Sequence, residues 1–188
     1  SLRYPPVFIQ ATSAERAFEL LESEGIDLVI TMLSIDDMDP FEFSRQIKSK
    51  YEEIPIVVLT PFSREVSIKL KNEDLSAIDY VFSWLGNADL LLAIIKLIED
   101  KMNMEHDVDT IGVQTLILVE DSIRFYSSYL PQLYKIIFKQ SKEFMTEGLN
   151  EHQKMLRMRG RPKVILATNY EEALQFYERY KNNLLGII

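Results

Sequence analysis

The chain of 188 residues is long enough for one large domain or two small ones. Hydrophobic residues make up 47% of it and the formal net charge is -8, which supports a buried core, argues against disorder, and disfavours nucleic-acid binding, since that needs a basic face. It has no cysteine, so disulfide and thiolate-metal readings fall away; no signal peptide opens it and no apolar run approaches the roughly 20 residues that span a bilayer, so a cytoplasmic protein with no membrane partner is expected.

Short apolar runs alternate with amphipathic stretches, the pattern of a parallel sheet with crossover helices. PVFIQ (6–10) is a strand candidate. Thr12 or Ser13 caps a helix whose face holds Ala14, Ala17, Phe18 and Leu21. Residues 27–33 form a continuous apolar strand of the kind buried on both faces. Asp39-Pro40 starts the next helix, with Phe41, Phe43 and Ile47 among its apolar residues. IPIVVLTP (54–61) is a strand, residues 63–72 a short polar helix, AIDYVF (77–82) a strand, and NADLLLAIIKLIEDKM (87–102) a strongly apolar helix.

Residues 103–114 read as a polar break containing a glycine, the best candidate for a linker. The cycle then restarts. TLILVED (115–121) is a strand ending in two acids, a long helical stretch begins at Ser122, KVILAT (163–168) is a strand, Asn169 caps a helix over 171–181, and LLGII (184–188) is a last strand.

Between 122 and 160 the chain holds Pro131 and one interior glycine, Gly148, and otherwise reads as helix. Phe125, Tyr129, Leu133, Ile136 and Ile137 fall near a three-four spacing and are expected to be the packed face. The apolar rhythm continues past Pro131, so a kink is expected there rather than an end. An extension over 139–161 carries a sparser stripe, Met145, Leu149, His152, and Met155 or Leu156. It suits pairing with another helix, in a dimer or a docking site; a hairpin folded back on its own sheet is the alternative. Its basic end (Lys154, Arg157, Arg159, Arg161, Lys163) is expected to be solvated.

DLVITMLSIDDMDPFEF (27–43), IPIVVLTPFS (54–63) and AIDYVFSWLGNADLLLAI (77–94) resemble the third, fourth and fifth strand regions of bacterial receiver (response-regulator) domains, and VEDS (119–122) resembles the acidic end of a receiver's first strand. The implied fold is α/β, flavodoxin-like, with parallel sheets of receiver type in two truncated copies, the second carrying the long inserted helix or helical hairpin. The expected division is 1–103 for a first copy lacking its first strand and helix, 104–114 for the linker, and 115–188 for a second copy cut at its third strand. A permuted order, in which strand 115–119 completes the first copy, and exchange of parts between two chains are the open alternatives.

A working receiver uses an acidic pair, a phosphate-accepting Asp, a Thr or Ser, and a Lys. The carboxylates hold Mg²⁺, and the metal and lysine offset charge on the moving phosphoryl group. By that resemblance, Met32 stands where the Asp belongs, Thr60 at the hydroxyl position, Ser83 where the Lys belongs, and Trp84 where a proline belongs. A thioether neither attacks a phosphoryl group nor ligates Mg²⁺ well. The first copy is thus expected to be a pseudo-receiver without a cofactor. In the second copy Glu120 and Asp121 occupy the acidic pair and imply Mg²⁺ binding in the intact copy; a helix cap at Asp121-Ser122 is the bland account.

Other candidates are weaker. Asp36, Asp37 and Asp39 form an acidic loop better read as turn-forming than as a cation site. His106 and His152 are isolated and lack metal-ligand spacing. No phosphate-loop, dinucleotide-binding or hydrolase-elbow motif appears.

The runs LRYPPVFIQATSAE, VQTLILVEDSIRFYSSYLP and NYEEALQFYERYKNNLLGII also resemble bacterial proteins that carry paired receiver-like domains ahead of a region similar to pyruvate phosphate dikinase and phosphoenolpyruvate synthase. The resemblance implies a non-enzymatic regulatory module beside a phosphotransferase. It would act by contact with a protein partner or a downstream kinase-like domain, with Tyr80 and Trp84 as contact residues and a homodimer formed through the long helix. The alternatives are a phosphorelay receiver using the second copy, or a structural dimerisation element.

Overall fold

A computed structural model describes residues 6–35, 37–61, 63–143 and 160–188. It divides into two compact units, Ser1–Phe82 and Ser83–Ile188. The division falls inside a strand, earlier than the polar break suggested by the sequence.

In the first unit, Ser13 starts α1 (Ala14–Ser23) by accepting from the Arg16 N–H, as a helix-initiating hydroxyl does. β1 (Val29–Met32) follows, then α2 (Pro40–Lys50), β2 (Ile56–Pro61), α3 (Arg64–Asn72) capped by Ser63, and β3 (Tyr80–Trp84). The sheet runs β1-β2-β3, with β1 and β2 parallel and Met32 opposite Leu59. Ala14, Leu21, Phe43, Ile47 and Ile56 form the core, and Phe18 meets Phe43 edge to face at 5.3 Å between ring centres. Burying side chains of this size contributes about 1.5–3 kcal/mol each.

The segment 6–10, expected as a strand, is not one. Among the described residues it pairs with no strand, and Val7 and Phe8 are 86% and 65% exposed. Apolar β-branched residues favour a strand only where a ladder and a packing surface receive them, and β1 is the edge of its sheet. β3 differs in the other direction. It starts later than expected and runs through Ser83 and Trp84, so these two residues lie in the strand rather than after it.

In the second unit, α4 (Asp89–Asp109) precedes β4 (Thr115–Val119), α5 (Ile123–Glu143), β5 (Lys163–Ala167), α6 (Tyr170–Tyr180), a 3₁₀ turn (Lys181–Asn183) and β6 (Leu184–Ile187). The polar break is shorter than expected, because Met104 and Val108 are buried with Ile165 and Tyr180 and draw the helix on to Asp109. Pro131 sits inside α5 without ending it.

The packed face of α5 is only partly the one expected from the three-four spacing. Ile137 is buried as expected, together with Tyr126, Leu130 and Tyr134, whereas Leu133 is half-buried and Phe125, Tyr129 and Ile136 are about half exposed. Both sets keep helical spacing, so periodicity alone could not choose between them. The extension stripe Met145, Leu149, His152, Met155 and Leu156, with Lys154, Arg157 and Arg159, lies outside the described residues.

The second sheet has the order β5-β4-β6, all parallel. Both edges of β4 are therefore filled within its own unit, by β5 and by β6. This overturns the permuted alternative, since a strand has only two hydrogen-bonding edges and β4 has none left to complete the β1 edge. No helix among the described residues is long and apolar enough to cross a membrane.

Candidate functional site

In doubly wound sheets ligands gather at the carboxyl ends of parallel strands, and two of the singled-out residues sit there in the first unit. The register puts Thr60 one residue beyond the partner of Met32 on the neighbouring strand. Met32 is 55% exposed, so its thioether meets solvent. That group is neutral, soft and a weak acceptor. Thr60 is buried and its Oγ1 donates to the Pro61 carbonyl at 3.3 Å, which turns the hydroxyl toward its own strand end.

The acidic loop after β1 is occupied with helix starts. Both carboxylate oxygens of Asp37 accept from the Ala14 N–H, at 2.9 and 3.0 Å, and Oδ2 also accepts from the Glu15 N–H at 3.3 Å. These bonds, the one from Ala14 foremost, hold the Asp37 carboxyl below its ordinary range. Asp39 caps α2 by accepting from the Phe41 and Glu42 N–H groups at 3.0 and 3.1 Å. Asp36 lies outside the described residues. Among the described residues no three His, Cys, Asp or Glu side chains cluster as a metal site would need. With a thioether on β1 and Asp37 and Asp39 spent on backbone donors, the first unit's described residues do not fit a Mg²⁺ ion, which wants several free oxygens in octahedral array.

Asp79 has a structural task. Its Oδ2 accepts from the Ile56 N–H at 3.0 Å and from Lys48 Nζ at 2.9 Å, while its own N–H donates to the Ile56 carbonyl at 2.9 Å. It thereby pins the starts of β2 and β3 together and ties both to α2. Its neighbour Tyr80 is partly buried, 6.2 Å from the Phe82 ring.

In the second unit Ser83 is 1% exposed. Its N–H donates to Ser127 Oγ at 2.8 Å, and that hydroxyl donates in turn to the Ile123 carbonyl at 2.5 Å. Ser83 Oγ itself has no hydrogen-bond partner among the described residues. Trp84, by contrast, is 39% exposed. At the end of β4 the Glu120 N–H donates to the Ala167 carbonyl at 3.0 Å, and Glu120 Oε1 accepts from the Ser122 N–H at 3.0 Å. Glu120 thus holds the turn into α5, while Asp121 is exposed.

Sequence reasoning missed a buried polar cluster in the second unit. Asp100 on α4 is completely buried, and Oδ2 accepts from Tyr134 Oη, Arg161 Nη1 and the Val164 N–H, each at 3.0 Å. Arg161 Nη2 reaches Oδ1 at 2.6 Å. Lys163 sits 3.6 Å from Asp100 and 2.6 Å from Asp107. The Arg161 guanidinium also lies over Tyr134 and Phe138, 5.7 and 5.5 Å from the ring centres, a cation–π arrangement. Burial alone would lower the Arg161 pKa, but its hydrogen bonds and proximity to Asp100 outweigh that and raise it. Arg161 and Lys163, expected in a solvated basic end, are instead buried ion-pair partners. Their charge is met within the unit, so burial becomes tolerable.

Residues 3–95 match the family model of the response regulator receiver domain. No curated protein and no solved structure matches the chain. The matched stretch, just under half of the chain, resembles a receiver domain, and its α/β build with β1 and β2 parallel agrees with that likeness.

Proposed function

We propose that residues 3–95 form a receiver-type regulatory module that works by protein contact and does not carry phosphate. The half-exposed thioether of Met32 at the carboxyl end of β1 is the observation on which this rests. Phosphoryl transfer to a receiver needs an oxygen nucleophile at that strand end, a cation beside it, and a positive side chain to offset developing charge. Met32 supplies no nucleophile. Asp37 and Asp39 are committed to the starts of α1 and α2, and Ser83 has no cationic head. What such a module retains is surface. Trp84, partly exposed at the end of β3, and Tyr80 on the same strand are the proposed contact residues.

By its resemblance to proteins with a pyruvate phosphate dikinase-like region, the module would regulate a phosphotransferase domain of the same protein or a separate protein partner. The test is an amide NMR titration with beryllofluoride and Mg²⁺, which mimic aspartyl phosphate. Unchanged signals for residues 29–32 and 56–61 are expected. Mg²⁺-dependent shifts centred on Met32 would overturn the reading.

A further inference from the structure

We propose that the loop joining β1 to α2 is a conformational latch, closed by Asp37 on the start of α1, whose opening changes the surface at the carboxyl end of the first sheet. The proposal goes beyond the contact reading above and does not rest on it, so the two can fail separately. Asp37 lies 23 residues after Ala14. Both its carboxylate oxygens accept from the Ala14 N–H, at 2.9 and 3.0 Å, and Oδ2 accepts from the Glu15 N–H at 3.3 Å. Ser13 Oγ takes the Arg16 N–H at 3.1 Å. Two side chains thus satisfy the first three N–H groups of α1, which a helix cannot satisfy by itself. Asp37 does its share from a separate stretch of chain, and its charge suits the partly positive end of a helix. To either side of it in the loop, Ile35 and Met38 pack, partly buried, on the core that holds Ala14 and Phe43.

The ends of the loop are held independently of Asp37. Before it, β1 is paired with β2, Met32 opposite Leu59. After it, Asp39 starts α2 by accepting from the Phe41 and Glu42 N–H groups. α1 keeps its Ser13 cap and its buried Ala14, Leu20 and Leu21 whether or not Asp37 is bound. The loop can therefore open while both helices and the strand pair stay folded, as segments of low local stability do. Three side chains oppose the opening. Asp37 is exposed, so water competes for its bonds, and Ile35 and Met38 are half-buried rather than sealed. Opening bares Ile35 and Met38, close after Met32 in the chain, and Met32 is itself 55% exposed. This end of the sheet thus has two surfaces, one closed and one open and more apolar. A partner that binds one better than the other shifts the balance between them.

The test reads Met38. Brief exposure of the chain to dilute hydrogen peroxide turns accessible thioethers into sulfoxides, and peptide mass spectrometry gives the rate at each methionine. Met32 marks an open thioether in the same unit. In the native chain Met38 should oxidise well below the rate of Met32. In Asp37→Ala it should speed up about threefold or more, the factor expected when one capping interaction is lost. Asp37→Asn, which keeps an acceptor oxygen, should show a smaller rise. Ser13→Ala removes the Arg16 cap, leaves Asp37 in place, and should leave Met38 slow. Amide exchange at Val57 and Val58 in β2 should be the same in the native chain and every variant. Any of four results overturns the proposal. Met38 could be as fast as Met32 in the native chain, or unmoved by Asp37→Ala. It could rise equally in Ser13→Ala, which would make the loop a passenger of fraying in α1. Exchange at Val57 and Val58 could rise in step with Met38, which would mean that the whole unit opens.

Discussion

Asp100 and Arg161, sixty-one residues apart in the sequence, meet in the interior of the second unit through two hydrogen bonds of 2.6 and 3.0 Å. Neither residue is more than 8% exposed. A buried pair of this kind adds little over a well-packed apolar pair, but it is costly to break, because the survivor keeps an uncompensated charge in a low-dielectric site. Arg161→Met should therefore destabilise the second unit by about 3–5 kcal/mol. The double variant Asp100→Leu/Arg161→Met should recover much of that loss. Urea unfolding followed by circular dichroism measures both, and equal losses in the single and double variants would contradict the account.

Tyr134→Phe removes one neutral donor from the same carboxylate and leaves the other bonds in place. The cost expected for a buried hydrogen bond to a charged group is about 1.5–3 kcal/mol, below that of Arg161→Met. The same unfolding experiment ranks the two.

Ser83 and Ser127 should respond in opposite senses. Ser83 Oγ is buried with no partner among the described residues, so Ser83→Ala discards a desolvated hydroxyl and should leave stability unchanged or raise it by about 1 kcal/mol. Ser127→Ala strips the acceptor from the buried Ser83 N–H and should cost about 1–3 kcal/mol. Thermal unfolding of the two variants side by side checks the pair.

Asp37 ties pH to the start of α1. Its folded-state carboxyl is held below the ordinary value of 3.8, chiefly by the Ala14 N–H. A depressed acid stabilises the fold fully above its unfolded pKa and loses that contribution as pH falls through the folded value. The Ala14 amide signal should therefore move with a midpoint below 3.8 on acid titration, and Asp37→Asn should abolish that titration. A midpoint at or above the ordinary value would refute the geometry.

Met32→Asp tests whether one side chain separates this site from phosphate chemistry. Met32 is half exposed, so the change should alter stability by less than about 0.5 kcal/mol. With Ser83 still lacking a cation and Asp37 still bound to α1, the variant should not bind beryllofluoride in the presence of Mg²⁺. Binding by this variant would show that the remaining groups suffice.

Much of the fold was legible because β2 and β5, buried on both faces, read as apolar runs, and because Ser13, Asp39, Ser63 and Asn169 announce helix starts. The run at 27–33 read the same way, but β1 lies at the sheet edge with Thr31 alone buried. The segment 6–10 misled because its residues suit a strand while no described neighbour pairs with it. α5 misled because two apolar faces share one period, and only the tertiary partner selects which is buried. Asp100 could have been suspected. It sits at three-four spacing with Ala93, Leu97 and Met104, all buried, so a charge occupied a core position of an apolar helix. Arg161 and Lys163, two residues apart at the start of a strand, were the matching cations, but nothing local in the sequence links them to a helix sixty residues earlier.

The receiver match ends at residue 95, inside α4, which runs to Asp109. A chain divided at that point, or at the polar stretch after residue 102, would leave Asp100 on one fragment or the other according to a difference of a few residues. Parted from it, Arg161 and Lys163 would remain as cations sealed in an apolar interior, and the downstream fragment would be expected to misfold or aggregate for that reason alone. The helix that looks like the last piece of one module is thus the foundation of the next, and a dissection of this protein has to cut before residue 89 or not between the units at all.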